Sequence, residues 1–259
     1  MVFFCYTLKM NIAIITGGVG SERKISLASA ENIKNILSIS EELIFDYPSQ
    51  SRLLSSTKID VCIPMIHGEG GEDVQLQLLL EELNIPYLFS NPEIHKKCLN
   101  KQKTKEILNS FGVSSAREFL SADDIEGSVF VKPVLGGSSI YTKKTSSKNE
   151  LTNFLSNHSE VDFLIEEALE GREFSVGVIE DSDGTHALPV IEIVTKGGFF
   201  DYDSKYNREK LAQEICPANI SHELRESLQE QAIIAHTKMS CKHISRSDFI
   251  VNNGNKIYF

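Results

Sequence analysis

No stretch of the 259-residue chain approaches the roughly 18 consecutive apolar residues that a membrane-spanning helix needs. Positive charge is not in surplus either: 26 Lys and Arg stand against 36 Asp and Glu, for a formal net charge of −10. A nucleic-acid binder carries a basic footprint, so neither nucleic acid nor a membrane is expected as a partner. Any bound polyanion has to be held by a few placed lysines and backbone N–H groups, not by the global field. Cysteine is scarce and unpatterned. Cys5, Cys62, Cys98, Cys216 and Cys241 are odd in number and contain no C-x-x-C pair. That excludes a disulfide framework and a zinc knuckle and points to a reducing, cytoplasmic setting. Residues 1–9 (MVFFCYTLK) have neither the basic start nor the small-residue cleavage site of a secretory signal, so they read as an extension. Internal repeats and low-complexity linkers are absent.

What remains is an ordinary globular composition, 41% hydrophobic and 24% charged, in a chain long enough for two or three packed units. Residues 11–16 (NIAIIT) form a β-branched run closed by Gly17-Gly18, and residues 26–37 follow with Leu27, Ala30, Ile33 and Leu37 at helical spacing. Strands are predicted at 59–66 and 85–89, with a helix over 74–84 between them. This alternation implies a small parallel sheet covered by helices. Further on, the pattern predicts a helix over 100–111, strands at 128–133 and 161–167 flanking a Gly/Ser loop and a polar helix near 148–157, and half-buried strands at 172–180 and 186–194. An amphipathic helix spans 222–240. The tail predicts a strand, a two-residue Asn-Gly hairpin turn and a second strand.

Five segments could carry chemistry. Gly17 to Arg23 (GGVGSER) sits between a strand and a helix, where open α/β sheets bind ligands. It lacks the G-K-S/T ending of a phosphate loop and the third glycine of a dinucleotide fingerprint. Glu22 there could anchor a ligand ammonium or simply complement the helix dipole. His67 to Asp73 (HGEGGED) lets backbone approach a small ligand closely while presenting carboxylates; His67 reads equally as a ligand-side group and as a hydrogen-bonded structural histidine. Lys132, ending the strand FVKP before Gly136-Gly137-Ser138-Ser139, fits a loop that folds over phosphates while the lysine supplies a point charge, or else a plain surface hairpin. The acids of LIEEALEGRE could accept hydrogen bonds from an adenine amine and ribose hydroxyls, or could be solvated. Arg246 and Asp248, two apart on a strand, share one face. Together they suit a metal-bound phosphate, and equally an ordinary surface ion pair.

In this order, the segments GGVGSERKISLASA, HGEGGED, NKQKTKEIL, FVKPVLGGSSI, IEEALEGREFSV, FFDYDSKYN, CPA and SRSDF resemble the D-alanine–D-alanine ligase family, from about Met10 to Phe259. The resemblance implies an α/β ATP-grasp fold: an N-terminal substrate-binding parallel-sheet domain over 10–90, a central lid domain over 91–166, and a C-terminal domain over 167–259 that is incomplete. It implies ATP as substrate, Mg²⁺ or Mn²⁺ as cofactor, and D-alanine as the small-molecule partner. It also implies a homodimer, which nothing in the residues shows independently. The implied reaction serves peptidoglycan synthesis. One D-alanine carboxylate is phosphorylated, and the amine of a second D-alanine attacks the acyl phosphate. By resemblance, Glu22 holds the first ammonium, with His67 near that substrate and Glu72 in the supporting network. Lys101 and Lys132 contact ATP phosphates and Lys205 approaches the γ-phosphate. Ser138 and Tyr206 bridge to Glu22 and close the loop. Glu166, Glu167 and Leu169 line the adenine pocket, Glu173 holds the ribose, Arg246 stabilises charge in transfer, and Asp248 binds the metal.

The chain departs from the family pattern at identifiable places. Gly136 stands where an acid usually precedes Gly-Ser-Ser. Tyr141 and Val74 stand where glycines are usual, Glu167 where lysine is common, and Asn100 where aspartate is common. The chain stops at Phe259, just where the family continues into Glu-x-Asn, so roughly 50 residues are expected to be missing on the family's usual size. Two other readings therefore stand beside the ligase: an inactive ATP-grasp remnant, and a ligase with a different second substrate such as a hydroxy acid.

Overall fold

The computed structural model describes residues 10–121, 124–125, 127–137, 141–195 and 212–259. The chain divides between Lys96 and Lys97 into two compact units.

In the first unit, β1 (Ile12–Gly17) lies at the centre of a three-stranded parallel sheet between β2 (Ile44–Tyr47) and β3 (Val61–Pro64). Strand alternation sends its side chains to two cores. Ala13 and Ile15 pack with Phe45, Leu54, Cys62, Leu76 and Leu80, the last two from helix α3 (Gln75–Glu82). Ile14 packs with Ile63 and with Ala30 of helix α1 (Arg23–Leu37). A short helix, α2 (Ser51–Leu54), follows β2, and α4 (Pro92–Leu99) carries the division between units. The strand expected at 85–89 reduces to a single bridge between Cys62 and Tyr87. Pro86 has no N–H to donate, and Phe89 turns the backbone to φ 79°, so no ladder extends. Strand β2 escaped the sequence reading.

The second unit opens with α5 (Lys101–Ser110). Asn100 caps it, its side chain accepting from the Lys103 N–H at 2.9 Å, so the Asp-to-Asn departure costs the helix no cap. An antiparallel sheet of order β5-β4-β6 is built from β4 (Val129–Pro133), β5 (Lys143–Thr145) and β6 (Phe163–Glu167). Helix α6 (Lys148–Asn157) covers it through Leu151, packed with Val129 and Val131. The second sheet centres on β7 (Arg172–Asp181), flanked by β9 (Ile191–Val194) and the long β11 (Ile244–Val251). β8 (Gly184–Ala187), β10 (Gln213–Ile215) and β12 (Ile257–Tyr258) complete it. Helix α7 (His222–Lys238) seals one face: Leu228 and Ala232 pack on Phe174, Val176, Val178 and Phe249.

Two further expectations need correction. The strand predicted over 186–194 is two strands, because Pro189 interrupts the run. The tail turn is not a two-residue Asn-Gly hairpin. Its strands end at Val251 and resume at Ile257; Asn252 Oδ1 accepts from Gly254 N–H at 3.0 Å and Lys256 N–H at 2.9 Å, and the left-handed residue is Asn255, at φ 59°. A side chain that bonds the backbone two residues on supplies an alternative turn, which is why the dipeptide rule fails here.

Candidate functional site

In the first unit, the turn after β1 is glycine-dependent. Gly18 has φ 88°, and a Cβ there would lie 2.9 Å from Ile66. Glu22 is the residue before α1, yet its side chain makes no capping hydrogen bond. Its carboxylate lies against the second glycine loop: a Cβ on Gly68, itself at φ 70°, would sit 2.6 Å from Glu22 Oε2. His67 is held from two sides. Its backbone N–H donates to Ser26 Oγ at 2.9 Å, and its Nε2 lies 3.2 Å from Ser29 Oγ. Glu72 Oε1 is 4.0 Å from His67 Nδ1. Glu22, His67 and Glu72, singled out separately in the sequence, therefore form one polar cluster. Ser26 and Ser29 join it from one face of α1. Their spacing of three was legible; only the partner loop was not. Arg23 braces the turn through Asp46 on β2, at 2.8 Å for one of two bonds, and the carboxylate beside it raises the guanidinium pKa.

Val74, in the position where the family has glycine, takes φ 73° at the start of α3. That is a left-handed conformation carried by a β-branched residue, an uncommon and strained combination. In the second unit, Tyr141 at φ 53° replaces another family glycine.

The second unit contains a cavity of about 520 Å³, within the size range of small-molecule sites (~300–1,000 Å³). Glu167, Leu169, Glu173 and Asp248 border it, with Phe130 and Tyr258 among its apolar walls. A smaller cavity of about 310 Å³ holds Lys101, Lys105 and Arg246; Lys132, Glu166 and Phe259 border both. Glu166, only 3% exposed, is bracketed by cations: Lys132 Nζ reaches its Oε2 at 2.5 Å, and Lys105 Nζ bonds its Oε1. Lys101 Nζ donates to the carbonyls of Pro133 at 2.9 Å and Gly136 at 2.6 Å, fastening the root of the glycine loop. Burial, reinforced by neighbouring Lys132 and opposed by Glu166, lowers its pKa to about 8.

The Arg246–Asp248 ion pair forms, with Arg246 Nε 3.2 Å from Asp248 Oδ1, on the open face of β11. Asp248 also accepts from Ser175 Oγ at 2.7 Å across the ladder. Glu173 lies two residues from Ser175 on the same face of β7. Glu167 accepts the Arg117 N–H at 2.9 Å, so its carboxylate is anchored to backbone. Ser138, Lys205 and Tyr206 lie outside the described residues. Sequence reasoning missed Lys105 and Ser175. Lys105 was discoverable one helical turn beyond Lys101; Ser175 becomes visible only once strand register pairs it with Asp248. As for a metal, no group of three or more His, Cys, Asp or Glu ligands occurs among the described residues. Asp248 alone would give one of the several oxygen ligands an octahedral cation needs, and its oxygens already accept from Ser175 and Arg246, so the remaining ligands would have to come from phosphate and water.

A family model described as D-ala D-ala ligase C-terminus matches residues 119–259. The D-alanine–D-alanine ligase of Halalkalibacterium halodurans is 34% identical over 259 aligned positions, covering 94% of this chain and 85% of that protein. The chain belongs to the D-alanine–D-alanine ligase family. Among solved structures, the ligase-family fold recurs in D-alanyl-alanine synthetase A from Vibrio cholerae, with TM-score 0.79 at 24% identity over 97% of this chain and 87% of that one. It recurs again in D-alanine–D-alanine ligase from Bacillus anthracis complexed with ATP, with TM-score 0.77 at 24% identity, covering 96% and 84%. These two show that the chain shares the fold of those structures. No helix among the described residues is long and apolar enough to cross a membrane.

Proposed function

We propose that the protein joins two D-alanines into D-alanyl-D-alanine at the expense of ATP, releasing ADP and phosphate for peptidoglycan synthesis in the cytoplasm. The observation that carries this reading is the membership of the ligase family together with the lysine-bordered cavity of the second unit. The larger cavity takes the nucleoside. Its apolar walls accept the base, with Glu167 and Leu169 beside it and Glu173 toward the ribose. Lys101 and Lys132 supply charge for the phosphates, and Lys205 does so at the γ-phosphate. Residues 91–166 act as the lid over ATP and residues 167–259 as the second half of the grasp; Ser138 and Tyr206 belong to the closing loop.

Phosphoryl transfer asks mainly for positioning and charge neutralisation, so no protein nucleophile is needed. Glu22 holds the ammonium of the first D-alanine, with His67 and Glu72 keeping that end oriented. A carboxylate oxygen of that first D-alanine attacks the γ-phosphorus of ATP, and the bond to ADP breaks as ADP leaves. The neutral amine of the second D-alanine then attacks the acyl carbon, the carbon–oxygen bond to phosphate breaks, and the nitrogen's proton leaves with the departing phosphate. Arg246 balances negative charge on the transferred group. Asp248 would be this chain's ligand to Mg²⁺ or Mn²⁺, which would supply Lewis-acid charge neutralisation. Excluding water protects the acyl phosphate from hydrolysis.

The test is product analysis with D-alanine, ATP and Mg²⁺. D-alanyl-D-alanine and ADP should appear in equal amounts. Glu22→Gln should raise the KM for D-alanine roughly 10- to 100-fold, the scale of one charge-assisted contact. ATP turnover that ignores D-alanine would reject the reading.

A further inference from the structure

Lys105 is a buried cation that the roles above do not use. It sits one helical turn after Lys101 on α5 and is 8% exposed. Its Nζ donates to the Ala116 carbonyl at 3.0 Å and to Glu166 Oε1. Glu166 gives its other oxygen to Lys132. The Lys132 side chain is 29% exposed, against 10% for Lys105 and 4% for Glu166. Lys132 and Glu166 border both cavities, whereas Lys105 reaches only the smaller one.

The electrostatic consequence follows from counting partners. A carboxylate this deeply buried needs a cation. If Lys132 were its only one, the protein itself would consume the charge of one of the two lysines, Lys132 and Lys144, that border the larger cavity. With Lys105 on the enclosed side, one negative charge is shared by two lysines. Together with Lys101, the cluster then keeps two positive charges in excess. We propose that Lys105 is a positioning residue of the nucleotide site: it neutralises Glu166 from the buried side and so frees the charge of Lys132 for a polyphosphate. It acts through Glu166 and Lys132 and touches no ligand. The same geometry makes Glu166 a charge hub, with both oxygens bound by lysines.

This inference rests on the nucleotide reading of the cavity, and the experiment separates the two. ADP and adenosine binding are measured by titration calorimetry for the wild type, Lys105→Met, Lys105→Arg and the double variant Lys105→Met with Glu166→Gln. Adenosine has the base and ribose but no phosphate. Lys105→Met should weaken ADP roughly tenfold, the scale of one charge-assisted contact, and leave adenosine within about twofold. Lys105→Arg should keep ADP binding, because the guanidinium stays charged. The double variant restores the excess of two positive charges and should recover ADP to within about threefold of wild type. A merely structural strut would not be rescued by removing a second buried group. If Lys105→Met does not fold, the double variant still decides, since it leaves no buried charge unpaired. ADP binding unchanged in Lys105→Met, parallel losses of ADP and adenosine, or a double variant no better than the single would each overturn the inference. A wild type that binds no ADP would instead overturn the nucleotide reading itself.

Discussion

Val74 offers a quantitative test of how the glycine loop is built. It holds φ 73° at the entrance to α3, and its side chain is half-buried. A residue in a sparsely populated backbone region costs about 1–3 kcal/mol. Val74→Gly releases that strain. It also gives back about 0.5–1 kcal/mol through the freer unfolded chain, and about 1 kcal/mol of partial side-chain burial. The balance runs from about 1 kcal/mol of lost to about 1.5 kcal/mol of added stability, so the comparison with alanine at the same position decides. Val74→Ala loses the methyl groups but keeps a Cβ, and with it the left-handed penalty, so it should be about 1 kcal/mol less stable than Val74→Gly. A control comes from Leu78, exposed in the interior of the same helix. There the order reverses, and glycine should be about 1 kcal/mol worse than alanine. Thermal melts followed by circular dichroism resolve this, since 1 kcal/mol shifts the midpoint by roughly 2–4 °C for chains of this size. Val74→Ala melting at or above Val74→Gly would refute the strain argument.

Other predictions follow from the second unit. Lys101 titrates near 8, depressed by burial, so in the free protein its charge is present below that pH and lost as pH rises through it. ADP affinity should fall above about pH 8, where binding takes up a proton at Lys101, and Lys101→Arg should remove that inflection because arginine stays charged; calorimetry across pH 7 to 9 reads both. The stability sign is opposite. With the folded pKa below the unfolded one, the unfolded chain binds more protons between about pH 8 and 10.5, so this group makes folding more favourable as pH rises through that window. Leu228 is fully buried against β7 and β11, and Leu228→Ala should cost about 2–5 kcal/mol in urea unfolding.

Much of this was legible before any coordinates. The runs Ile12–Gly17 and Val61–Pro64 are apolar on both faces, as buried parallel strands must be, and the motifs between Met10 and Phe259 carried the family. Glu22 and His67 stand out in the sequence because glycine turns after strands attract ligands, and the family resemblance adds Glu72. What sequence could not give was partnership across space. Asp248 meets Ser175 only through an antiparallel register, and Glu166 is read as a cavity acid until two lysines close on it. Strands β2 and β5 are short, at four and three residues, and have no periodicity to detect. The tail turn misled because a side-chain amide replaced the conformational role assigned to Gly254.

The most direct test of the proposed chemistry follows oxygen. D-alanine carrying ¹⁸O in its carboxylate is incubated with the protein, ATP and Mg²⁺, and the released phosphate is analysed by mass spectrometry. Passage through an acyl phosphate transfers one labelled oxygen from each activated carboxylate to phosphate, and that is the predicted result. Phosphate without label, or no phosphate released in the presence of D-alanine, would contradict it.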